Sequence, residues 1–373
     1  MAGLYIHFPF CKSKCIYCNF YSIASLSRKD DYIEALCKEM IIRKDYLGIE
    51  KITTLYFGGG TPSLFTMSEL KKIIHHLKSC YSLQDVEEFT IEANPEQLSL
   101  EYLSQLKSLG INRLSIGIQS FDDRILTLLR RGHTAKDAIT AIQNALDVGF
   151  ENISIDLIYG IVARTSEDWK QELTTAFSFP ITHLSAYALT VEENTLLYKK
   201  IAQGTFPENS DEKALLDYDE LITMTEGRGF EQYEISNFAK AGHYSKHNYA
   251  YWQDVPYLGL GPAAHSYNGT SRQWNPANLN EYVEGIANNH IEVEQEFLTP
   301  EMKFNEYVLL ALRTSQGISL EYAERKFGKQ RMAHILQIFS TIDKNHYTLQ
   351  NGQLILTKEG KLFADYIAGV LFL

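Results

Sequence analysis

The stretch Leu4-Tyr-Ile-His-Phe-Pro-Phe-Cys11-Lys-Ser-Lys-Cys15-Ile-Tyr-Cys18 runs a β-rich segment straight into a loop that holds three thiols within eight residues. Working outward, further β-rich runs at 53–57, 88–94, 113–119, 152–159 and 183–190 alternate with helical patterns at 30–43, 68–77, 100–109, 122–129, 135–148 and 167–177. Counting the run at 4–10, that makes six β/α units in about 190 residues, which predicts a parallel sheet with crossover helices. A closed barrel of this kind needs eight units, so the expected fold is α/β, a partial (β/α)6 TIM-like barrel.

Side-chain alternation says what the sheet wraps around. In the third strand Phe89, Ile91 and Ala93 oppose Thr90, Glu92 and Asn94; in the fourth Leu114, Ile116 and Ile118 oppose Arg113, Ser115, Gly117 and Gln119. The fifth sets Ile153, Ile155 and Leu157 against Asn152, Ser154 and Asp156, and the first sets Tyr5 and His7 against Leu4, Ile6 and Phe8. A parallel sheet normally buries both faces and reads as continuous apolar residues. One polar face therefore has to meet a ligand or a water-filled cavity.

The rhythm breaks after Thr190. Residues 191–226 read as helical and acidic, 230–238 as one more strand, and 239–300 as loop with short pieces of structure. Helical patterns resume at 302–312, 320–327 and 330–339, followed by a hairpin turning at Asn351-Gly352 and a last helix from Lys358. The end of the chain thus reads as a winged-helix-like mixed α+β extension. The expected division is a barrel at 1–235, a connecting segment at 236–298 and a C-terminal unit at 299–373.

The composition is that of a soluble globular protein, 45% hydrophobic and 22% charged over 373 residues. With 35 Lys+Arg against 46 Asp+Glu, the formal charge of -11 gives no footprint for phosphate-backbone binding, so no nucleic-acid partner is expected. No run reaches the roughly 18 apolar residues of a membrane-spanning helix, and the start lacks a secretory signal pattern. A cytoplasmic protein is expected. Five cysteines, all in the first quarter of the chain, make a poor disulfide framework; Cys37 and Cys80 lie in helical patterns as packed residues.

Thiolates are soft ligands for zinc, copper or iron–sulfur clusters. Structural zinc wants four ligands, and only His7 offers itself beside Cys11, Cys15 and Cys18. A cubane also needs four, one per iron, so three cysteines leave one iron free to hold something else. The spacing C-x3-C-x2-C, an aromatic before the third cysteine, and Gly58-Gly59-Gly60-Thr61-Pro62 resemble the radical S-adenosylmethionine (SAM) superfamily. The resemblance implies a [4Fe–4S] cluster on Cys11, Cys15 and Cys18 whose fourth iron chelates SAM. It implies SAM contacts from Tyr5, Tyr17, Gly59, Gly60, Thr61, Glu92, Gln119, Arg131 (from the helix after strand four) and Asp156, the last to the ribose.

Within that superfamily, Tyr5-Ile-His-Phe-Pro-Phe-Cys11, Gly117-Ile-Gln-Ser-Phe121 and Asp156-Leu-Ile-Tyr-Gly160 resemble the relatives of oxygen-independent coproporphyrinogen III oxidase. Two departures count against the oxidase itself: Phe20 stands where its pattern has a further cysteine, and strand one begins near Leu4 where that enzyme carries a long extension. Lys246-His-Asn-Tyr-Ala-Tyr-Trp252 instead matches the H-N-x-x-Y-W signature of HemW-type heme chaperones. That resemblance implies heme as cargo, with His247 the candidate axial ligand and His243 and His265 as alternatives. It also implies an acceptor protein, including a membrane-bound respiratory one, and is compatible with a homodimer. The alternative is an enzyme acting by radical chemistry on a porphyrinogen. Radical modification of RNA is disfavoured by the acidic charge.

Overall fold

The computed structural model describes residues 1–208 and 210–373. Strands β1 (Ala2–Phe8), β2 (Ile52–Gly59), β3 (Glu88–Ala93), β4 (Arg113–Gln119), β5 (Asn152–Tyr159) and β6 (His183–Ala188) pair in sequence order, all parallel. Helices α1 (Lys29–Ile42), α2 (Met67–Cys80), α3 (Leu100–Ser108), α4 (Asp123–Leu128), α5 (Ala135–Asp147) and α6 (Ser166–Ala176) lie between them. Helices α2, α5 and α6 each begin with a capping box: Thr66 with Glu69, Thr134 with Asp137, and Thr165 with Asp168. Outside the sheet, Leu114, Ile116, Ile118, Ile153, Ile155 and Leu157 join one apolar core with the inner faces of the helices, such as Ala138, Ala141 and Ile142 of α5. Full burial of each such Leu or Ile stabilises by about 1.5–3 kcal/mol.

The later chain extends both sides of this sheet. After α7 (Leu196–Ala202) and α8 (Asp211–Glu226), β7 (Glu231–Glu234) and β8 (Asn237–Ala239) form an antiparallel pair, with β8 laid against β6. The single strand expected at 230–238 is therefore two strands with a turn at Ile235-Ser236. Helix α9 (Lys246–Trp252) follows, then β9 (Tyr257–Leu260), which pairs parallel to β1. Antiparallel β10 (His265–Tyr267), β11 (Ser271–Trp274) and, after α10 (Leu279–Ala287), β12 (Glu294–Phe297) complete a sheet of order β12-β11-β10-β9-β1-β2-β3-β4-β5-β6-β8-β7. The region read as mostly loop at 239–300 thus supplies a seventh parallel strand and widens the sheet. The sheet stays open, as a partial barrel.

Helices α11 (Pro300–Leu312), α12 (Leu320–Phe327) and α13 (Lys329–Phe339), the short strand β13 (Ile318–Ser319), the hairpin β14 (Tyr347–Gln350) with β15 (Gln353–Leu356), and helices α14 (Lys358–Lys361) and α15 (Ala364–Leu371) enclose a separate apolar cluster around Phe304, Val308, Ile335 and Ile367. The hairpin turns at Asn351-Gly352 as the sequence predicts, both with positive φ. Among the described residues no helix is long and apolar enough to cross a membrane. Cys37 is buried on α1, where burial pushes its thiol up to about 11, and Cys80 ends α2.

Candidate functional site

A cavity of about 780 Å³ fills the concave side of the sheet; the three cysteines, the nine candidate SAM contacts and His247 all line it, whereas the alternative ligands His243 and His265 do not. The cysteine loop joins β1 to α1 over its mouth. Cys11 donates its backbone N–H to Ile23 O at 3.0 Å and Ile23 donates to Pro9 O at 2.7 Å, which closes the base of the loop. Ile16 pins its middle: fully buried beside Ile125, Leu129 and Leu197, it donates to Leu129 O at 3.3 Å and accepts from Leu197 N at 2.8 Å. Cys11, Cys15 and Cys18 stay free and half-buried. Among the described residues no three Cys, His, Asp or Glu side chains converge on a position for a single ion. Three soft donors spread around one loop suit ligands to three separate irons of a cluster.

The glycine turn after β2 is packed against this loop. Gly59 has φ +105, and a Cβ there would lie 2.5 Å from the His7 ring; a Cβ on Gly60 would lie 2.6 Å from Phe10 O. Only glycine fits either position. The amides of this turn are all engaged inside the protein: Gly59 N–H with Glu92 Oε2 at 3.0 Å, Gly60 N–H with Phe8 O at 2.7 Å and Thr61 N–H with Phe10 O at 2.7 Å. A ligand's ammonium is thus better served here than its carboxylate. Thr61 Oγ1 donates to Cys11 Sγ at 3.6 Å and accepts from Asn94 Nδ2 at 3.3 Å.

Two carboxyls face the same space. Glu92 accepts from Tyr56 Oη at 2.8 Å as well as from Gly59, yet burial raises its pKa to about 7, with the nearby Asp156 carboxylate adding to the shift. Asp156 is raised to about 6 by burial, opposed by the hydroxyls of Ser185 and Ser115 and by the positive charges of Arg113 and Arg131. Carboxyls this reluctant to ionise unaided call for a cationic or hydroxyl-bearing ligand. Arg131 donates to Cys15 Sγ at 3.3 Å, Asn94 Oδ1 at 2.7 Å and Gly117 O at 2.5 Å, while its buried Nε has no partner among the described residues. It lies in the turn between α4 and α5, whereas the family resemblance places it on the following helix. Gln119 ends β4 with φ +69, a left-handed conformation that a non-glycine residue adopts at a cost. Tyr17 is buried beside Cys15 and Arg131, and burial holds its hydroxyl far above its ordinary pKa.

Tyr5 reaches the cavity from β1. His7 Nε2 lies 2.9 Å from Tyr21 O, and a carbonyl only accepts, so the proton sits on Nε2. His7 Nδ1 then accepts from the Tyr5 hydroxyl at 3.0 Å. The residues present, three thiols at the mouth, a glycine turn without free amides and two hard-to-ionise carboxyls, fit a cluster with an ammonium- and ribose-bearing nucleotide.

Residues 5–176 match the radical SAM superfamily. The chain is 35% identical to the "Heme chaperone HemW" of Bacillus subtilis (strain 168), covering 99% of this chain and 98% of that one. The chain belongs to the HemW family of radical SAM proteins. A Mycobacterium tuberculosis (strain ATCC 25618 / H37Rv) HemW is 32% identical over 99% of this chain and 94% of its own. The solved structure of coproporphyrinogen III oxidase (HemN) from Escherichia coli superposes with a TM-score of 0.86 at 22% identity, covering 100% of this chain and 90% of that one, and so shares the fold. The family implies a [4Fe–4S] cluster and SAM.

In this HemW-family chain, the floor of the cavity holds His247. It is only 2% exposed and both ring nitrogens are engaged, Nδ1 with Thr54 Oγ1 at 2.7 Å and Nε2 with Tyr251 Oη at 2.9 Å. Its ring stacks on Tyr56, its backbone N–H donates to Glu88 Oε1 at 2.9 Å, and burial lowers its pKa to about 3. In this arrangement His247 has no nitrogen free for iron, and the expectation that it is an axial ligand finds no support in the geometry. Asn94, Tyr56 and Arg113 also line the cavity without having been singled out. The signal was present for Asn94 and Arg113, which share their strands' polar face with Glu92 and Gln119; Tyr56 follows from the same alternation on β2, two residues after Thr54.

Proposed function

We propose that this chain is a cytoplasmic heme chaperone, carrying a [4Fe–4S] cluster on Cys11, Cys15 and Cys18 with SAM beside it, that hands heme to an acceptor protein. The carrying observation is identity of 32–35% along 99% of the chain to relatives named for heme chaperoning. The likeness to the oxidase is one of fold alone, at 22% identity. In this reading residues 1–235 hold the cofactors, 236–298 complete the sheet beside them, and 299–373 form an appended unit.

When bound, the cluster and SAM supply one-electron cleavage of a sulfonium. The chain's own residues bind and orient. Glu92 takes an ammonium, its ionisation restored by that charge, and Asp156 takes ribose hydroxyls. Arg131 ties Cys15 to Asn94 and β4, so the loop and the strand ends move as one body. His247 holds the floor by joining β2 to α9.

Anaerobic incubation of reconstituted protein with SAM, reductant and coproporphyrinogen III, beside a titration with hemin, tests the reading. Stoichiometric hemin uptake without decarboxylated product is expected. Decarboxylated product, or no hemin uptake, would overturn it.

A further inference from the structure

The buried arginines of this chain are hydrogen-bonded, with one exception. Arg43 donates to Gly259 O, Asn275, Ser266 and Gln273, and Arg131 to Cys15, Asn94 and Gly117 O. Arg164 donates to Ile158 O at 2.8 Å and pairs with Glu172 at 3.2 Å. Arg113 is 2% exposed, and its guanidinium makes no hydrogen bond among the described residues. The carboxylate beside it is that of Glu88, whose Oε2 lies 3.9 Å from Nε, beyond hydrogen-bond reach. Glu88 spends both oxygens on other donors, the backbone N–H groups of Lys246 and His247, at 2.9 Å each. A buried cation whose five N–H donors lack acceptors carries a penalty of several kcal/mol, so an anion belongs against it.

That side chain lines the cavity. Arg113 opens β4 on the same face as Ser115, Gly117 and Gln119, and Gln119 closes that strand. The strand sets the two about 20 Å apart, with the cysteine loop and the glycine turn at the Gln119 end and Arg113 on the floor. Two neutral imidazoles lie near it there. His183 is engaged by the hydroxyls of Ser154 and Tyr233 and His247 by those of Thr54 and Tyr251, and burial beside the Arg113 charge lowers the pKa of both. The other cations lining the cavity, Lys14 and Arg131, belong to the mouth. Glu92 and Asp156 feel the Arg113 charge, but in the proposed function they serve an ammonium and a ribose. An α-amino acid carries its carboxylate beside its ammonium. A ligand whose ammonium meets Glu92 and the glycine turn therefore keeps that carboxylate at the mouth, away from Arg113.

We propose that the floor of the cavity is a second subsite, one that binds a carboxylate, with the forked N–H groups of Arg113 meeting both of its oxygens. The carboxylate comes either from a propionate of the heme cargo or from a small free carboxylic acid; the recognition chemistry is the same, and only the first source rests on the heme-chaperone reading. Ser245, His247 and Asn248, at the start of α9, line the same floor, so the anchored ligand rests on the segment that carries the H-N-x-x-Y-W signature.

Full-length, cluster-reconstituted protein is titrated with hemin, with hemin dimethyl ester, whose propionates are capped, and with succinate, for wild type, Arg113→Gln and Arg113→Lys. With the cargo as source, wild type binds hemin at least tenfold more tightly than the ester, and Arg113→Gln erases that preference while its ester affinity and iron–sulfur content stay at wild-type levels. Arg113→Lys keeps the charge but loses the fork and retains part of the preference, so the anchor is tested even where the glutamine variant folds poorly. With a free acid as source, hemin and its ester bind alike, and succinate at millimolar concentration binds wild type but not Arg113→Gln, as read by calorimetry. Equal affinities for hemin and its ester together with no succinate binding would overturn the subsite, as would either effect persisting undiminished in Arg113→Gln. Failure of wild type to bind hemin or its ester would overturn the heme-chaperone reading and leave the succinate titration to decide the subsite.

Discussion

Replacing His247 by alanine separates support from ligation. The ring makes two hydrogen bonds, at 2.7 Å to Thr54 and 2.9 Å to Tyr251, in a position 2% exposed. Each is worth roughly 1 kcal/mol net, and loss of the ring stacked on Tyr56 adds about 1 more, so His247→Ala should destabilise folding by about 3 kcal/mol near neutral pH. The pH dependence carries a second signature. Burial lowers the folded-state pKa to about 3 from an ordinary 6.5, so the stability due to neutral His247 is present above 6.5 and is lost as pH falls toward the folded value. Wild type should therefore lose about 1.4 kcal/mol per pH unit from this group below its ordinary pKa, and the gap between wild type and variant should close by that much one unit down. Urea unfolding of the cluster-free protein at neutral and mildly acidic pH measures both. Hemin affinity of the reconstituted variant should stay within twofold of wild type. Unchanged stability combined with a large loss of hemin affinity would refute the supporting role and return His247 to iron.

Alanine at Cys11, Cys15 or Cys18 should each cut the iron and sulfide retained after anaerobic reconstitution by more than half, whereas Cys37→Ala and Cys80→Ala should leave both unchanged. SAM affinity, measured calorimetrically, should strengthen as pH rises through about 7, because Glu92 must ionise to meet an ammonium. Glu92→Gln should flatten that dependence and bind roughly tenfold more weakly above this range, about 1.4 kcal/mol. Gly60→Ala places a Cβ 2.6 Å from Phe10 O, which has no flexible side chain to yield, and should reduce cluster incorporation with little change in far-ultraviolet circular dichroism.

What could be read from the sequence follows from how local each signal is. Strand alternation is local, and it correctly put Glu92, Arg113, Gln119 and Asp156 on one interior face, because a two-residue period needs no knowledge of the partner strand. The cysteine loop is local as well. β9 was not legible: its four residues, Tyr257–Leu260, include a glycine and sit in an Asn- and Tyr-rich stretch, and only pairing with β1, more than 250 residues earlier, makes them a strand. His247 shows the same limit in chemical form. A histidine beside two aromatics reads as a ligand until its nitrogens are accounted for, and one partner, Thr54, lies 193 residues away. Whether a lone pair is available is thus a property of the assembled sheet.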